Sequence, residues 1–277
     1  MTGEQPLSGT GFQDGDDGLS YLAMPREMQT YLPPGLPEDD ELAGCPEVLA
    51  VLARLQVLLA CCLADGRRQR LALDGLSGPA LTLLGQILGE GEVAIQIQDQ
   101  PAISLQETVL AGVWWGQQPA TGQQWLEVAD IPGCVLQRAF ATARWPLLEE
   151  SGLPDGLINA RPVLAELLEA ARQQAVGPQA MAHVVNLSLL PFSAEDLAFL
   201  QDRLGAGPVV LLSRGYGSCR ISSTATPGIW WVQYFNSTDQ LILDTLEVTA
   251  IPQVACAARE DLEDSAGRLQ DIREALA

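Results

Sequence analysis

The chain has 277 residues, 47% of them hydrophobic, which is enough apolar mass for one large or two ordinary folded units and too much for a disordered protein. Thirty-five acidic residues stand against 15 basic ones, all arginine, giving a net charge of −20. Nucleic acid and anionic lipid repel such a chain, so its expected partners are neutral or basic protein surfaces.

Residues 1–44 carry nine acids and one arginine among many glycines and prolines, a composition expected to remain mostly irregular. Tyr21, Leu22, Met24, Met28, Tyr31 and Leu32 are the groups in it able to dock. The opening MTGEQPLSGTGFQDGDDG lacks the basic and apolar regions of an export signal, so the expected location is the cytoplasm. The longest apolar run, Val48–Leu63, contains Arg54 and Gln56 and covers 16 residues, short for a membrane span, so it reads as a core helix over 46–63. A strand over 68–73 follows. Ser77 then opens a helix with Leu81, Leu84 and Leu88 on one stripe, ending at Gly89.

A shift of 116 residues lays the second half of the chain over the first. LALDGLSGPALTLLGQILGEGEV (71–93) falls on LSLLPFSAEDLAFLQDRLGAGPV (187–209), and Gly112-Val113-Trp114-Trp115 on Gly228-Ile229-Trp230-Trp231. Continued upstream, the same shift sets Pro46 on Pro162 and Leu52 on Leu168. After a four-residue length change, Leu126–Pro132 falls on Leu246–Pro252. The expected fold is therefore α+β: a tandem duplication of one helix, strand, helix, antiparallel meander and helix unit, with pseudo-two-fold two-copy architecture. Its expected parts are the N-terminal segment 1–44, a first, diverged repeat over 45–145 and a second over 160–277 that carries the C-terminal helix.

The second repeat predicts a helix over 162–174, a strand over 184–189 and a helix opened by Ser193 with Leu197, Leu200 and Leu204 on its stripe, stopping at Gly205. Strands over Val209–Ser213, Cys219–Ser223, Gly228–Phe235 and Leu241–Val248 follow, separated by turn residues. Closing helices begin near Ile131-Pro132 and Ile251-Pro252.

Positions shared by both repeats serve the scaffold, and polar residues confined to one repeat are candidates for function. LLSRGYGSCRISST (211–224) replaces IQIQDQPAISLQET (95–108), which makes Arg214, Tyr216 and Arg220 candidate partner-binding residues around a glycine-rich hairpin tip. Trp230, Trp231 and Tyr234 join them from the next strand, where one tryptophan of the pair should enter the core and the other face outward. Cys219, beside Arg220, is with Cys256 a candidate metal or redox thiol, with ordinary burial as the alternative. Six cysteines without a CxxC and a single histidine, His183, argue against a self-contained metal site, and no resident cofactor is expected. No triad, phosphate loop or dinucleotide fingerprint occurs, and Asp244 and Glu247 should lie on opposite faces of a strand, so no catalytic residue is assigned.

The stretch LPFSAEDLAFLQDRLGAGPVVLLSRGYGSCRISSTATPGIWWVQYFNSTDQLILDTLEVTAIPQVACAAREDLEDSAGRL (190–269) resembles the HupH/HyaF family, also represented by HoxQ, of hydrogenase expression proteins. MPREMQTYLPPGLPE near the start is similar to the family's N-terminal segment. The resemblance implies a non-enzymatic, chaperone-like role in making a [NiFe] hydrogenase. The implied partner is the precursor of its iron–sulfur small subunit before export, beside a thioredoxin-like accessory protein, with no nucleic acid and no membrane insertion. The alternative is thiol-based handling or protection of metal or iron–sulfur clusters during hydrogenase assembly.

Overall fold

The computed structural model describes Pro37 and residues 42–146, 154–177, 181–214 and 218–276. The expectations placed on residues 1–36, and on Tyr216 with its flanking glycines, lie outside the described residues.

The first half runs α1 (Pro46–Asp65), β1 (Gln69–Ala72), α2 (Gly78–Leu88), β2 (Val93–Ile97), β3 (Ile103–Glu107), β4 (Val113–Gln118), β5 (Gln123–Val128) and α3 (Gly133–Arg138). The second runs α4 (Ala160–Val176), β6 (His183–Asn186), α5 (Ala194–Leu204), β7 (Ala206–Ser213), β8 (Ser218–Thr224), β9 (Ile229–Phe235), β10 (Leu241–Val248) and α6 (Arg259–Ala275). The ten strands form one sheet in the order β1-β5-β4-β3-β2-β7-β8-β9-β10-β6, and neighbouring strands pair antiparallel throughout. Outward from the central β2/β7 pair the order is β3-β4-β5-β1 on one side and β8-β9-β10-β6 on the other.

Local chemistry sets the helix boundaries. The Ser77 hydroxyl accepts the Ala80 amide at 3.3 Å, and Ser193 accepts the Asp196 amide at 3.0 Å while the Asp196 carboxylate accepts the Ser193 amide at 3.0 Å, a reciprocal capping box. Three residues past the end of α2 and α5 stand Gly91 and Gly207. A Cβ there would lie 2.2 Å from the Thr108 carbonyl oxygen and 2.3 Å from the Ser223 hydroxyl, so only glycine lets the chain pass its neighbour. Corresponding turns also share their bonding: Thr108 Oγ1 accepts the Leu110 amide and Thr224 Oγ1 the Thr226 amide, both at 3.2 Å.

Alternation along the strands sorts the core into layers. Trp114 and Trp230 face one central cluster with Ile95, Ile97, Val209 and Leu211. Their neighbours face the other side: Val113 and Trp115 pack with α1 and α2, and Ile229 and Trp231 with α4 and α5. α6 crosses from the second half to the first, where Leu262, Leu269 and Leu276 join the cluster of α1 and α2. There Gln56 Nε2 donates to the Ala266 carbonyl at 3.1 Å and Arg268 donates to the Val109 carbonyl at 2.9 Å.

Three sequence expectations need correction. The helix read as 46–63 spans 20 residues and, by length and composition, is long and apolar enough to cross a membrane, with mean hydropathy 2.0 over an 18-residue window. Its stripe of Val48, Leu52, Leu55, Leu58, Leu59 and Cys62 is buried in the core cluster. The strand read as 184–189 stops at Asn186, whose side chain accepts the Ser188 amide at 2.9 Å and turns Leu187–Leu189 into a 3-10 helix. That turn lengthens the connection to α5, so β1 and β6 correspond at a shift of 114 where the sequence register used 116. Finally, Pro132 and Pro252 stand at the N-cap, outside the first turn, and the second closing element is the 3-10 turn Gln253–Ala255 ahead of α6.

Candidate docking surface of the second half

The described residues among those singled out around the Arg214–Arg220 hairpin do not form one patch, because the strands that carry them present alternate residues to opposite sides of the sheet. Cys219 pairs across the ladder with Tyr234, and Arg220 with Gln233. Cys219, Trp230 and Tyr234 therefore face the central cluster, while Arg220 and Trp231 face the side that α4 and α5 cover. Arg214, just past the end of β7, is exposed, and its amide donates to the Glu92 carbonyl at 3.1 Å where the two halves meet.

Trp230, expected at a contact surface, is fully buried at 0% exposure and edge-on to Phe140, with ring centroids 5.2 Å apart. It belongs to the core, and Trp231 is the half-exposed member of the pair. The Trp231 indole nitrogen donates to Asp244 Oδ1, as Trp115 donates to Gln124 Oε1 at the corresponding place in the first half. Asp244 and Glu247 lie on opposite faces: Asp244 pairs with Gln233, and Glu247 with Trp230.

The thiol candidates are quiet. Burial pushes Cys219 up to about 11, against the opposing pull of its hydrogen bond with Tyr234. Tyr234 is itself pushed up to about 12, first by burial and then by Cys219 and Glu247. Cys256 is raised to about 11, again chiefly by burial. The expectation that Arg220 favours a Cys219 thiolate fails because adjacent residues on a strand point apart. Among the described residues no group of three or more His, Cys, Asp or Glu side chains is placed to hold a metal ion.

Sequence reasoning missed a contrast at the two ends of the sheet. On β1, Arg70 stands opposite Glu127 and its guanidinium meets that carboxylate at 2.7 Å, while also lying 4.8 Å from the centre of the Trp125 ring. At the matching place on β6, Val184 stands opposite Glu247. The signal was present in the sequence, but the two-residue length change beside β6 set Arg70 over Asn186 instead.

A family model described as the C-terminal conserved region of the HupH hydrogenase expression protein matches residues 157–276, from just before α4 through α6. Over its full length the chain is 60% identical to the hydrogenase expression/formation protein HupQ of Azotobacter chroococcum, covering 100% of both chains. The chain belongs to the HupH/HyaF family. The relatives include the hydrogenase expression/formation protein HupH of Rhodobacter capsulatus, 43% identical over 95% of this chain and 93% of that one. The hydrogenase-1 operon protein HyaF of Escherichia coli is 33% identical over 98% and 96%. A solved HupH structure from Thiobacillus denitrificans is 28% identical, with a TM-score of 0.38 over 40% of this chain and 92% of that one.

Proposed function

We propose that this HupH-family chain assists the maturation of a [NiFe] hydrogenase in the cytoplasm. It holds the precursor of the iron–sulfur small subunit before export, through surface contact and without turning over a substrate. The observation that carries this reading is the full-length identity to proteins named for hydrogenase expression and formation. Exposed Arg214 at the seam of the two halves, with half-buried Arg220 and Trp231 on the adjoining strands, supplies residue types that dominate protein interfaces. The net charge of −20 steers basic segments of an immature subunit toward the chain. A thioredoxin-like accessory protein completes the assembly.

The deciding experiment presents the full chain to separately expressed small-subunit and large-subunit precursors. Capture of the small-subunit precursor, weakened by Arg214→Glu and by salt, is the expected result. Capture of the large subunit alone would remove the small-subunit assignment.

Cys134, Cys219 and Cys256 share one cluster, which favours a second reading, transient handling of metal or an iron–sulfur cluster by thiols. Burial that holds these thiols protonated weighs against it. A metal-free, featureless absorption spectrum of anaerobically purified protein would end that reading.

The matching strand order and matching turns of the two halves also support a doubled ancestral unit. An experimental structure in which residues 46–138 do not superpose on residues 160–255 would refute the doubling.

A further inference from the structure

The two ends of the sheet occupy equivalent places in the strand order and are built from opposite chemistry. β1 carries arginine on and beside the edge, with Arg70 bound to Glu127 and Arg68 to Asp130 at 3.1 Å. Charged side chains of this kind keep other strands from adding to an edge. β6 reads His183-Val184-Val185-Asn186 and is the last strand of the order among the described residues. Its one cation-forming side chain, His183, is engaged by Glu166 at 2.8 Å on the side of α4.

Three features converge on this edge. Val184 is 50% exposed, and further large apolar side chains stand free at both ends of the strand: Met181 at 83%, Leu189 at 79% and, at the start of neighbouring β10, Ile242 at 61%. The outer backbone groups of a terminal strand are ready for another strand. Glu247, directly across from Val184, has no cation among the described residues and only the Thr245 hydroxyl at 3.5 Å, whereas its counterpart Glu127 has Arg70.

We propose that the β6 edge takes an extended segment of another polypeptide as an eleventh strand, one in which apolar residues alternate with arginine or lysine. The backbone of the segment pairs with β6, its apolar residues cover the exposed side chains, and one cation reaches over Val184 to Glu247, replacing what Arg70 supplies at the other end. Neighbouring strands lie about 4.8 Å apart, which puts the added strand roughly 10 Å from β10, within the combined reach of an arginine and a glutamate side chain. A second copy of this chain fits poorly, because each copy carries −20 and β6 offers no arginine or lysine to Glu247. The site is distinct from the Arg214 hairpin and does not depend on the partner being a hydrogenase subunit.

The test uses the full chain and a fluorescein-labelled decapeptide in which valine alternates with arginine and threonine. It is compared with two peptides methylated on alternate backbone nitrogens, one in each register, and with one carrying glutamine for arginine. The parent peptide should bind, backbone methylation in one of the two alternate registers should weaken it about tenfold or more, and Val184→Arg should abolish binding while leaving the melting curve unchanged. Glu247→Gln should erase the preference for the arginine peptide over the glutamine peptide. Equal binding of the parent and both methylated peptides, or undiminished binding to the Val184→Arg protein, would overturn the proposal. So would a dimer in sedimentation that Val184→Arg dissolves, since the edge would then belong to a second copy.

Discussion

The carboxylate of Asp196 accepts the backbone amide of Ala160, 36 residues earlier, at 2.9 Å. The same side chain accepts the amides of Ile158 at 2.9 Å and Asn159 at 3.1 Å, together with that of Ser193 in its own capping box. One acid thereby serves the N-termini of two helices, α4 and α5, where unpaired amides and the helix dipole both favour negative charge.

Asp196→Ala should cost about 3 kcal/mol or more in urea unfolding, because it strands the buried Ala160 amide together with those of Ile158, Asn159 and Ser193. Asp196→Asn should cost less, since its oxygen still accepts. Burial raises the Asp196 pKa, but the amides of Ser193, Ala160, Ile158 and Asn159 outweigh it and hold the group below the usual aspartate value. Its stabilisation is therefore present above the unfolded value and lost as pH falls through the folded one. Asp196→Asn should remove that part of the acid sensitivity, measured as unfolding free energy between pH 2 and 6.

Glu107 behaves in the opposite sense. It is buried, accepts the Gly112 amide at 2.9 Å, and is raised from 4.5 to about 7, first by burial and then by the charges of Glu92 and Asp261, with the Gly112 amide opposing. Folding therefore favours its protonated form. The contribution is fully present below the unfolded value of 4.5 and is lost as pH rises through about 7. Glu107→Gln keeps the acceptor oxygen and should raise stability by about 1–3 kcal/mol at pH 8 with little change at pH 4. Chemical denaturation at both pH values measures the difference.

The buried indoles separate a hydrogen bond from packing. Trp114 Nε1 donates to the Ala129 carbonyl at 3.0 Å, whereas Trp230 Nε1 has no partner among the described residues. Both side chains are fully buried in one cluster. Trp114→Phe should therefore cost about 1 kcal/mol more than Trp230→Phe in paired urea titrations.

Thiol labelling checks the raised values of Cys219 and Cys256. At pH 8 a thiol near 11 is ionised in about one molecule per thousand, so iodoacetamide should modify both far more slowly in the native protein than in urea. Rapid native labelling of Cys219, read by mass spectrometry, would contradict its placement against Tyr234.

What the sequence made legible was local. Ser77 and Ser193 each announce a helix to the residues just beyond them, and the Gly and Asn punctuation of 209–248 marks four strands that the structure places within three residues. The pairing of β2 with β7, Val93 opposite Ser213 through Ile97 opposite Val209, joins segments more than a hundred residues apart and leaves no local mark. Strand alternation required Trp230 and Trp231 to face opposite ways, but which of them entered the core depended on which side the helices covered. The contrast of Arg70 with Val184 was masked by two extra residues beside β6, since a register right for α2 and α5 is wrong for the strands before them.

The crossing of α6 bears on how the protein is made. Leu262 and Leu269 fill space beside Val48, Leu52 and Leu84, yet they leave the ribosome some two hundred residues after α1. A nascent chain ordinarily completes its leading portion first. Here α1 and α2 wait for a helix translated long after them, so a ribosome stalled before Arg259 would hold both halves with the earlier one still open.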